Sequence, residues 1–402
     1  MKNIAILGST GSVGRSSLEV IRSNRESYKV ELLVANSNFE LLIEQYEEFQ
    51  PRYIYLESQE ARDSFNEYIH ATKGDKNPLL KDDIELDQII ASSSIEIVVA
   101  AIVGIAGLKS VFIAAESGKH ILLANKESYV VAGEILNEIS KEAGSTIFPI
   151  DSEHSALHQC LSGVADKESV SRLILTGSGG PFLNKDIKDL KSVTPDEAVA
   201  HPVWNMGPKI SVDSSTMMNK CLEIIEARWL FDIEDIDVVI HPEGIVHSLV
   251  EFTDYSLLAQ LSVPDMKIPI AYGLGYPSKI ESASKQIDFD SLKSLTFKSP
   301  DIHKFPALGL AEYCIQQGGN SSIILNAANE ECVDAFLEGK IGYLDIFSII
   351  SEVLDKSDFR DVKEIDEIFE QDKITREQTI NTVISVLFVR ENKLYKLRYN
   401  TN

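Results

Sequence analysis

The chain has 402 residues, 44% apolar and 25% charged, proportions of a globular protein with room for two or three domains. Its formal net charge of −24 argues against nucleic acid or an anionic membrane as partner, and obliges any phosphorylated ligand to find a local cationic pocket. No run reaches the ~18 apolar residues of a membrane span; Met1-Lys2 leads straight into Ile4-Ala5-Ile6-Leu7 without room for a leader, and Cys160, Cys221, Cys314 and Cys332 form no CxxC pair, so a cytoplasmic protein with reduced thiols is expected.

Through about residue 145, short apolar runs alternate with amphipathic stretches. Asn3–Leu7, Val30–Ala35, Tyr53–Leu56, Ile95–Ala101 and His120–Ala124 read as parallel strands, each followed by helical periodicity. That predicts a doubly wound α/β domain over residues 1–145. After the first strand comes Gly8-Ser9-Thr10-Gly11-Ser12-Val13-Gly14, followed by the amphipathic stretch Ser16–Ser23. Glycines there permit a tight turn and close backbone approach to a pyrophosphate at a helix N-terminus. The second strand runs into Ala35-Asn36-Ser37-Asn38, with no Asp or Glu to hold a ribose 2′-hydroxyl, which favours NADP over NAD. No Arg or Lys stands there either.

Ala124-Asn125-Lys126-Glu127-Ser128 falls at a strand's carboxyl edge, where such sheets bind ligands. It suits substrate handling, or equally a helix start with an exposed ion pair. The apolar run Thr146–Ile150 then leads into Asp151-Ser152-Glu153. If the strand continues, Asp151 and Glu153 share a face, Ser152 points away or follows a bend, and the two like charges call for a cation. The alternative is a solvated loop capping a helix from His154.

A second, α+β domain is expected over 146–275, with strands Arg172–Leu175, Val238–His241, Ile245–Phe252 and Leu257–Ser262. Thr176-Gly177-Ser178-Gly179-Gly180-Pro181 makes either an anion-binding nest or a bare turn. His201-Pro202-Val203-Trp204-Asn205-Met206-Gly207-Pro208 reads as a lid with large side chains between breakers. Ser214-Ser215-Thr216 reads as opening a helix that carries Asn219, Lys220, Glu223 and Glu226. Hydroxyls at a helix start plus a lysine can bind a phosphate, and Glu223 could add a third oxygen to the Asp151 and Glu153 pair; a packed surface helix with a serine cap is the plainer reading. His154, His158, His241 and His247 are taken as structural. Residues 276–303 read as a linker, and 304–402 as a helical bundle over Ala307–Gln317, Ile323–Leu337, Ile346–Lys356 and Arg376–Leu387. The tail with Arg390, Lys393, Lys396 and Arg398 suggests no function.

Together GSTGSVG, LANKES, DSEHSA, LTGSGGPF, HPVWNMGPKISVDSSTMMNK, LEIIEARWLF and LNAANE resemble the 1-deoxy-D-xylulose 5-phosphate reductoisomerase family, from residue 2 to about 387. The resemblance implies a homodimeric enzyme of non-mevalonate isoprenoid synthesis, using NADPH with Mg²⁺, Mn²⁺ or Co²⁺ to rearrange and reduce 1-deoxy-D-xylulose 5-phosphate. Its implied architecture is the α/β, α+β and helical sequence of domains already described. It implies Asp151, Glu153 and Glu223 as metal ligands, and Lys126, Glu153 and His201 as catalytic groups. It implies substrate contacts at Lys126, Ser152, Glu153, Ser178, His201, Ser214, Asn219, Lys220 and Glu223. NADPH contacts are implied at Thr10, Gly11, Ser12, Val13, Asn125, Glu127 and Gly207, with Ala35, Asn36 and Asn38 near the adenosine end. Relatives often carry Gly and a basic residue where this chain has Asn36 and Ser37; Ser37 and Asn38 offer hydrogen bonds instead. Two other readings are a different NADP oxidoreductase with a nucleophilic cysteine, and a nucleotide sensor that needs no metal.

Overall fold

The computed structural model describes residues 1–72, 77–204 and 206–399, with side chains through Val389. Six apolar runs become β1 (Lys2–Leu7), β2 (Tyr28–Ala35), β3 (Tyr53–Leu56), β4 (Ile97–Ala100), β5 (His120–Leu123) and β6 (Thr146–Pro149). They form one sheet in the order β3-β2-β1-β4-β5-β6, every pairing parallel. Between them lie α1 (Ser12–Ser23), α2 (Phe39–Phe49), α3 (Gln59–Thr72), α4 (Asp83–Ala91), α5 (Leu108–Glu116) and α6 (Lys126–Ala143). Strands covered on both faces read as continuous apolar runs, and Ile4, Ile6, Leu33, Ile54, Val99 and Leu122 bury one shared core. Strand order reverses between β1 and β4, which opens a crevice at their carboxyl ends. Two readings change here. Helix α1 starts at Ser12, directly on the glycine turn, and Thr146–Pro149 closes the first sheet rather than opening a second domain.

Downstream follow α7 (Ser152–Leu161), β7 (Val170–Gly177), α8 (Pro195–Val199), α9 (Pro208–Thr216), α10 (Met218–Phe231), β8 (Ile236–Ile240), β9 (Val246–Phe252), β10 (Leu257–Leu261), α11 (Lys267–Gly275), α12 (Leu308–Gln317), α13 (Ser321–Leu337), α14 (Tyr343–Asp355) and α15 (Ile365–Tyr399). Contacts divide the chain into two compact units. The first takes Met1–Tyr129, Leu136–Ser171 and Ile245–Lys293; the second takes Val130–Ile135, Arg172–Gly244 and Ser294–Asn402. The units are therefore discontinuous in sequence and cut across the consecutive stretches expected from composition. The reason is packing: the β9–β10 hairpin lies on α7, and α11 lies on α1, so the chain returns to its first unit after leaving it.

In the second unit β7 and β8 pair in parallel, and Leu222, Ile225, Leu325, Phe336, Ile346 and Ile350 share one core. α15 is a single helix of 35 residues that includes the expected Arg376–Leu387 segment; the side chains of Arg390, Lys393, Lys396 and Arg398 lie outside those described. Among the described residues no helix is long and apolar enough to cross a membrane.

Candidate active site

The glycine turn is built for close approach. Gly8 has φ +86°, and a Cβ there would stand 2.6 Å from the Ala101 carbonyl just past β4. A Cβ on Gly14 would meet the Gly8 carbonyl at 2.3 Å, so only glycine lets α1 pack against the turn. Gly11 caps α1 without a side chain, and with Ser12 it is exposed, which leaves the helix N-terminus open to an anion. Thr10 and Val13 flank it, half-buried. At the end of β2, Ala35 is buried while Asn36, Ser37 and Asn38 are exposed. The Asn38 side-chain oxygen is taken by the Leu41 N–H at 3.1 Å, so what it can offer a ligand is its amide nitrogen.

Asn125, expected to contact cofactor, is fully engaged with backbone. Its oxygen accepts from Ser128 N–H at 3.0 Å; its nitrogen donates to the carbonyls of Ile102 and of Gly104, the latter at 2.9 Å. It therefore clamps the loop after β4 to the start of α6. The next residue, Lys126, is buried, with Nζ 2.5 Å from Asp151 Oδ2. Glu127 is buried beside it.

Asp151 and Glu153 come close, within 4.8 Å, but not by strand alternation. The strand ends at Pro149, Asp151 is the extended N-cap of α7, and Glu153 lies in the first turn. Two carboxylates at a helix N-terminus are favoured by its positive end. Of the two readings for Ser152 the bend is the one found, and its hydroxyl donates to the Glu153 carboxylate. His154 Nδ1 stands 3.8 Å from Asp151 Oδ2. Burial alone would raise the Asp151 pKa, but Lys126 foremost and His154 next hold it well below the usual carboxylate range. Asp151 is thus favoured in its anionic form as an oxygen donor, the kind that hard divalent cations prefer.

The second unit gathers the other expected residues. Gly179 and Gly180 have φ of +84° and +65°, so the turn after β7 is a true glycine turn. A Cβ on Gly180 would stand 2.8 Å from the Ser214 carbonyl, and one on Gly177 3.2 Å from Lys220 Cε. The turn therefore sits directly on Ser214 and Lys220. Ser178 Oγ is 3.1 Å from His201 Nε2. His201 Nδ1 accepts from the N–H groups of Val203 and Trp204, at 3.2 and 2.8 Å, so a neutral ring carries its proton on Nε2 and donates it to Ser178.

Ser214-Ser215-Thr216 does not open a helix. Pro208 at the first helical position starts α9, Thr216 ends it, and Met217 at φ 63° breaks it from α10. Ser214 is therefore placed by a helix end and a sharp break rather than by a free N-terminus. On α10, Asn219 and Lys220 each donate to the Glu223 carboxylate at 2.5 Å, and Glu223 is fully buried. Gly207 caps α9; Asn205 of the expected lid lies outside the described residues. The three expected metal ligands are thus divided, Asp151 and Glu153 in the first unit and Glu223 in the second.

Sequence reasoning missed Lys209, Asp213, Asn329 and Tyr343. Lys209 Nζ pairs with the buried Asp213 at 2.9 Å, and Asn329 donates to Asp213 at 2.8 Å. The i, i+4 spacing of Lys209 and Asp213 was the available signal; nothing local pointed to the other two. Burial pushes the thiols up, Cys160 to about 11 and Cys314 to about 12, with Cys221 and Cys332 also raised. None is an activated thiolate, which removes the ground for a cysteine nucleophile.

Family models described as 1-deoxy-D-xylulose 5-phosphate reductoisomerase match residues 4–133, as its C-terminal domain residues 147–231, and as DXP reductoisomerase C-terminal domain residues 261–378. A 1-deoxy-D-xylulose 5-phosphate reductoisomerase of Clostridium perfringens is 44% identical over 379 residues, covering 94% of this chain and 98% of its own. One from Shewanella halifaxensis is 43% identical over 400 residues, covering 95% and 99%. Among solved structures, DOX-P reductoisomerase in complex with NADPH, fosmidomycin and magnesium aligns at a TM-score of 0.90 and 42% identity, covering 96% of this chain and 99% of that one. The Zymomonas mobilis enzyme in complex with NADPH aligns at 0.87 and 37%, covering 95% and 98%. With this identity over nearly the full length and a matching fold, the chain belongs to the 1-deoxy-D-xylulose 5-phosphate reductoisomerase family.

Proposed function

We propose that this protein converts 1-deoxy-D-xylulose 5-phosphate to 2-C-methyl-D-erythritol 4-phosphate, with NADPH and a divalent cation, in non-mevalonate isoprenoid synthesis. The observation that carries the reading is the Lys126–Asp151 pair at the N-terminus of α7, a buried lysine and an ionised carboxylate beside a second carboxylate, Glu153. Asp151, Glu153 and Glu223 would hold Mg²⁺ or Mn²⁺, with Co²⁺ also suited to an all-oxygen set. When bound, the cation supplies electrophilic polarisation of the substrate ketone and NADPH supplies the hydride.

The residues do the remaining work. Lys126 keeps Asp151 ionised and places an ammonium at the reacting end of the substrate. Glu153, whose carboxylate accepts from Ser152, is positioned to take and return a substrate hydroxyl proton. His201 presents a proton on Nε2 next to Ser178. Ser178, Ser214, Asn219 and Lys220 anchor the phosphate, so that remote binding energy orients the reacting carbons. The His201–Gly207 loop closes over them and excludes water. Thr10, Gly11, Ser12 and Val13 receive the NADPH pyrophosphate, Ala35, Asn36 and Asn38 its adenosine end, and Glu127 and Gly207 the nicotinamide half, with Asn125 acting through the loop it clamps.

The working unit is a homodimer: among the described residues β10 pairs with β9 alone, and its Leu257, Leu258 and Leu261 are exposed. Four free thiols suit the cytoplasm. The test is NADPH oxidation with 1-deoxy-D-xylulose 5-phosphate, with and without EDTA. Oxidation that stops with EDTA and returns with Mg²⁺ is expected. Tight NADPH binding without metal-dependent turnover would instead indicate a nucleotide sensor. A higher kcat/KM with NADH than with NADPH would overturn the reading of Ala35–Asn38.

A further inference from the structure

We propose that Tyr343 is a positioning residue for the phosphate pocket, holding the Ser214–Lys220 segment and the Ser178 turn in register from the C-terminal helices; this rests on the assignment of those segments to the substrate phosphate. Helix α9 ends because Met217 takes a left-handed conformation, φ 63°, which a methionine adopts only under external constraint. The last carbonyls of a helix lack intrahelical partners. The buried Ser215 carbonyl finds one in the Tyr343 hydroxyl, at 2.5 Å. The same residue touches the second wall. Its ring stands edge-on to Phe182, centroids 5.2 Å apart at 86°, and Phe182 directly follows the Gly179-Gly180-Pro181 turn. That turn lies on the Ser214 carbonyl, so close that Gly180 admits no Cβ.

Tyr343 is itself fixed. It is the first residue of α14, whose cap binds the Gly342 N–H to Asp345 at 2.8 Å, and Phe336 packs on it at 5.9 Å. Asn329 of α13 adds a second strut, donating to Asp213 on α9. Neither residue is a candidate to touch substrate; each acts through α9. Without the Tyr343 hydroxyl, a buried carbonyl next to the Met217 break loses its donor, and Ser214 and Lys220 pivot about that break.

Tyr343→Phe keeps the ring packing and removes only the hydrogen bond. The KM for the sugar phosphate, and the inhibition constant of inorganic phosphate, should each rise about tenfold, while kcat and the NADPH KM stay within about twofold. Thr379→Ala is the control. It deletes another buried hydroxyl of the second unit, one bonded to the Thr375 carbonyl, and should lower Tm without moving either phosphate constant. Unchanged phosphate constants in Tyr343→Phe would overturn the proposal. So would a joint fall of kcat and Tm with a rise of the NADPH KM, which marks general loosening. A wild-type protein that fails to turn over the sugar phosphate would sink the functional reading alone; the Kd for inorganic phosphate, compared between wild type and Tyr343→Phe by calorimetry, would still decide the role of Tyr343.

Discussion

Glu223 accepts hydrogen bonds from Asn219 and Lys220 of its own helix and is fully buried. A carboxylate held this way is oriented before any ligand arrives. Glu223→Gln keeps the volume, loses the charge and sets an amide against donors. Turnover should fall by ~10² or more, because a metal site of this kind contributes several kcal/mol to the transition state. NADPH affinity, read by fluorescence titration, should hold steady; activity near wild type would remove Glu223 from the ligand set. A second residue-scale expectation concerns His120 and His158, whose pKa values burial lowers. Groups with depressed folded pKa contribute full stability above their unfolded value, near 6.5, and that stability is lost as pH falls from there towards the folded pKa. The urea midpoint should therefore drop between about pH 7.5 and 5.5, and His120→Gln with His158→Gln should flatten the drop. An unchanged slope in the double variant would assign the acid sensitivity elsewhere. Residue identities were legible because acids, lysines and glycines announce chemistry by type. What they touch was not: nothing in the sequence showed that the Asn125 side chain binds the carbonyl of Gly104, because side-chain direction depends on neighbours distant in sequence.

The glycine turn and its helix make a prediction at the scale of the element. Gly14 lies inside α1, yet a Cβ there meets backbone of the turn, Gly8 O at 2.3 Å and Ser9 Cα at 2.6 Å. Backbone cannot swing aside as a flexible side chain can. Gly14→Ala should push α1 off the turn, raising the NADPH KM at least about tenfold with a smaller change in the sugar-phosphate KM. Equal effects on both would mean the turn does not hold the cofactor. The strands of the first sheet were legible from their continuous apolar runs; Tyr53–Leu56 was placed to the residue. Two junctions were not. At Asp151 the change from strand to helix comes two residues earlier than strand periodicity suggests, because Asp151 serves as the N-cap. At Ser214 the start signal was Pro208, and the break at Met217 is imposed by tertiary contacts, since methionine has no preference for positive φ.

At the scale of the whole molecule, each copy carries a net charge of −24, so two copies repel at long range and need apolar contact to associate. The β10 strand offers it. Leu257 and Leu258 are each 49% exposed and Leu261 39%, on a strand that among the described residues is paired along one edge, and Tyr255 in the turn before it is 82% exposed. Monomeric proteins blunt such edges with lysine, proline or a bulge; β10 carries neither lysine nor proline, and its register on β9 shifts between Gln260 and Leu261. A twofold axis would set β10 antiparallel to its copy, completing backbone hydrogen bonds and covering the leucines together. Leu258→Lys places a cation on that seam without touching the core, so Tm of the subunit fold should change little while the dimer dissociates. Sedimentation equilibrium should show a dimer for wild type and a monomer for the variant at micromolar concentration. Because the opposing term is repulsion between like-charged surfaces, adding salt should tighten the wild-type dimer: screening beyond the ~8 Å Debye length near 0.15 M weakens the long-range term and leaves the apolar contact intact. A dimer that loosens with salt, or one that survives Leu258→Lys, would place the interface on another face.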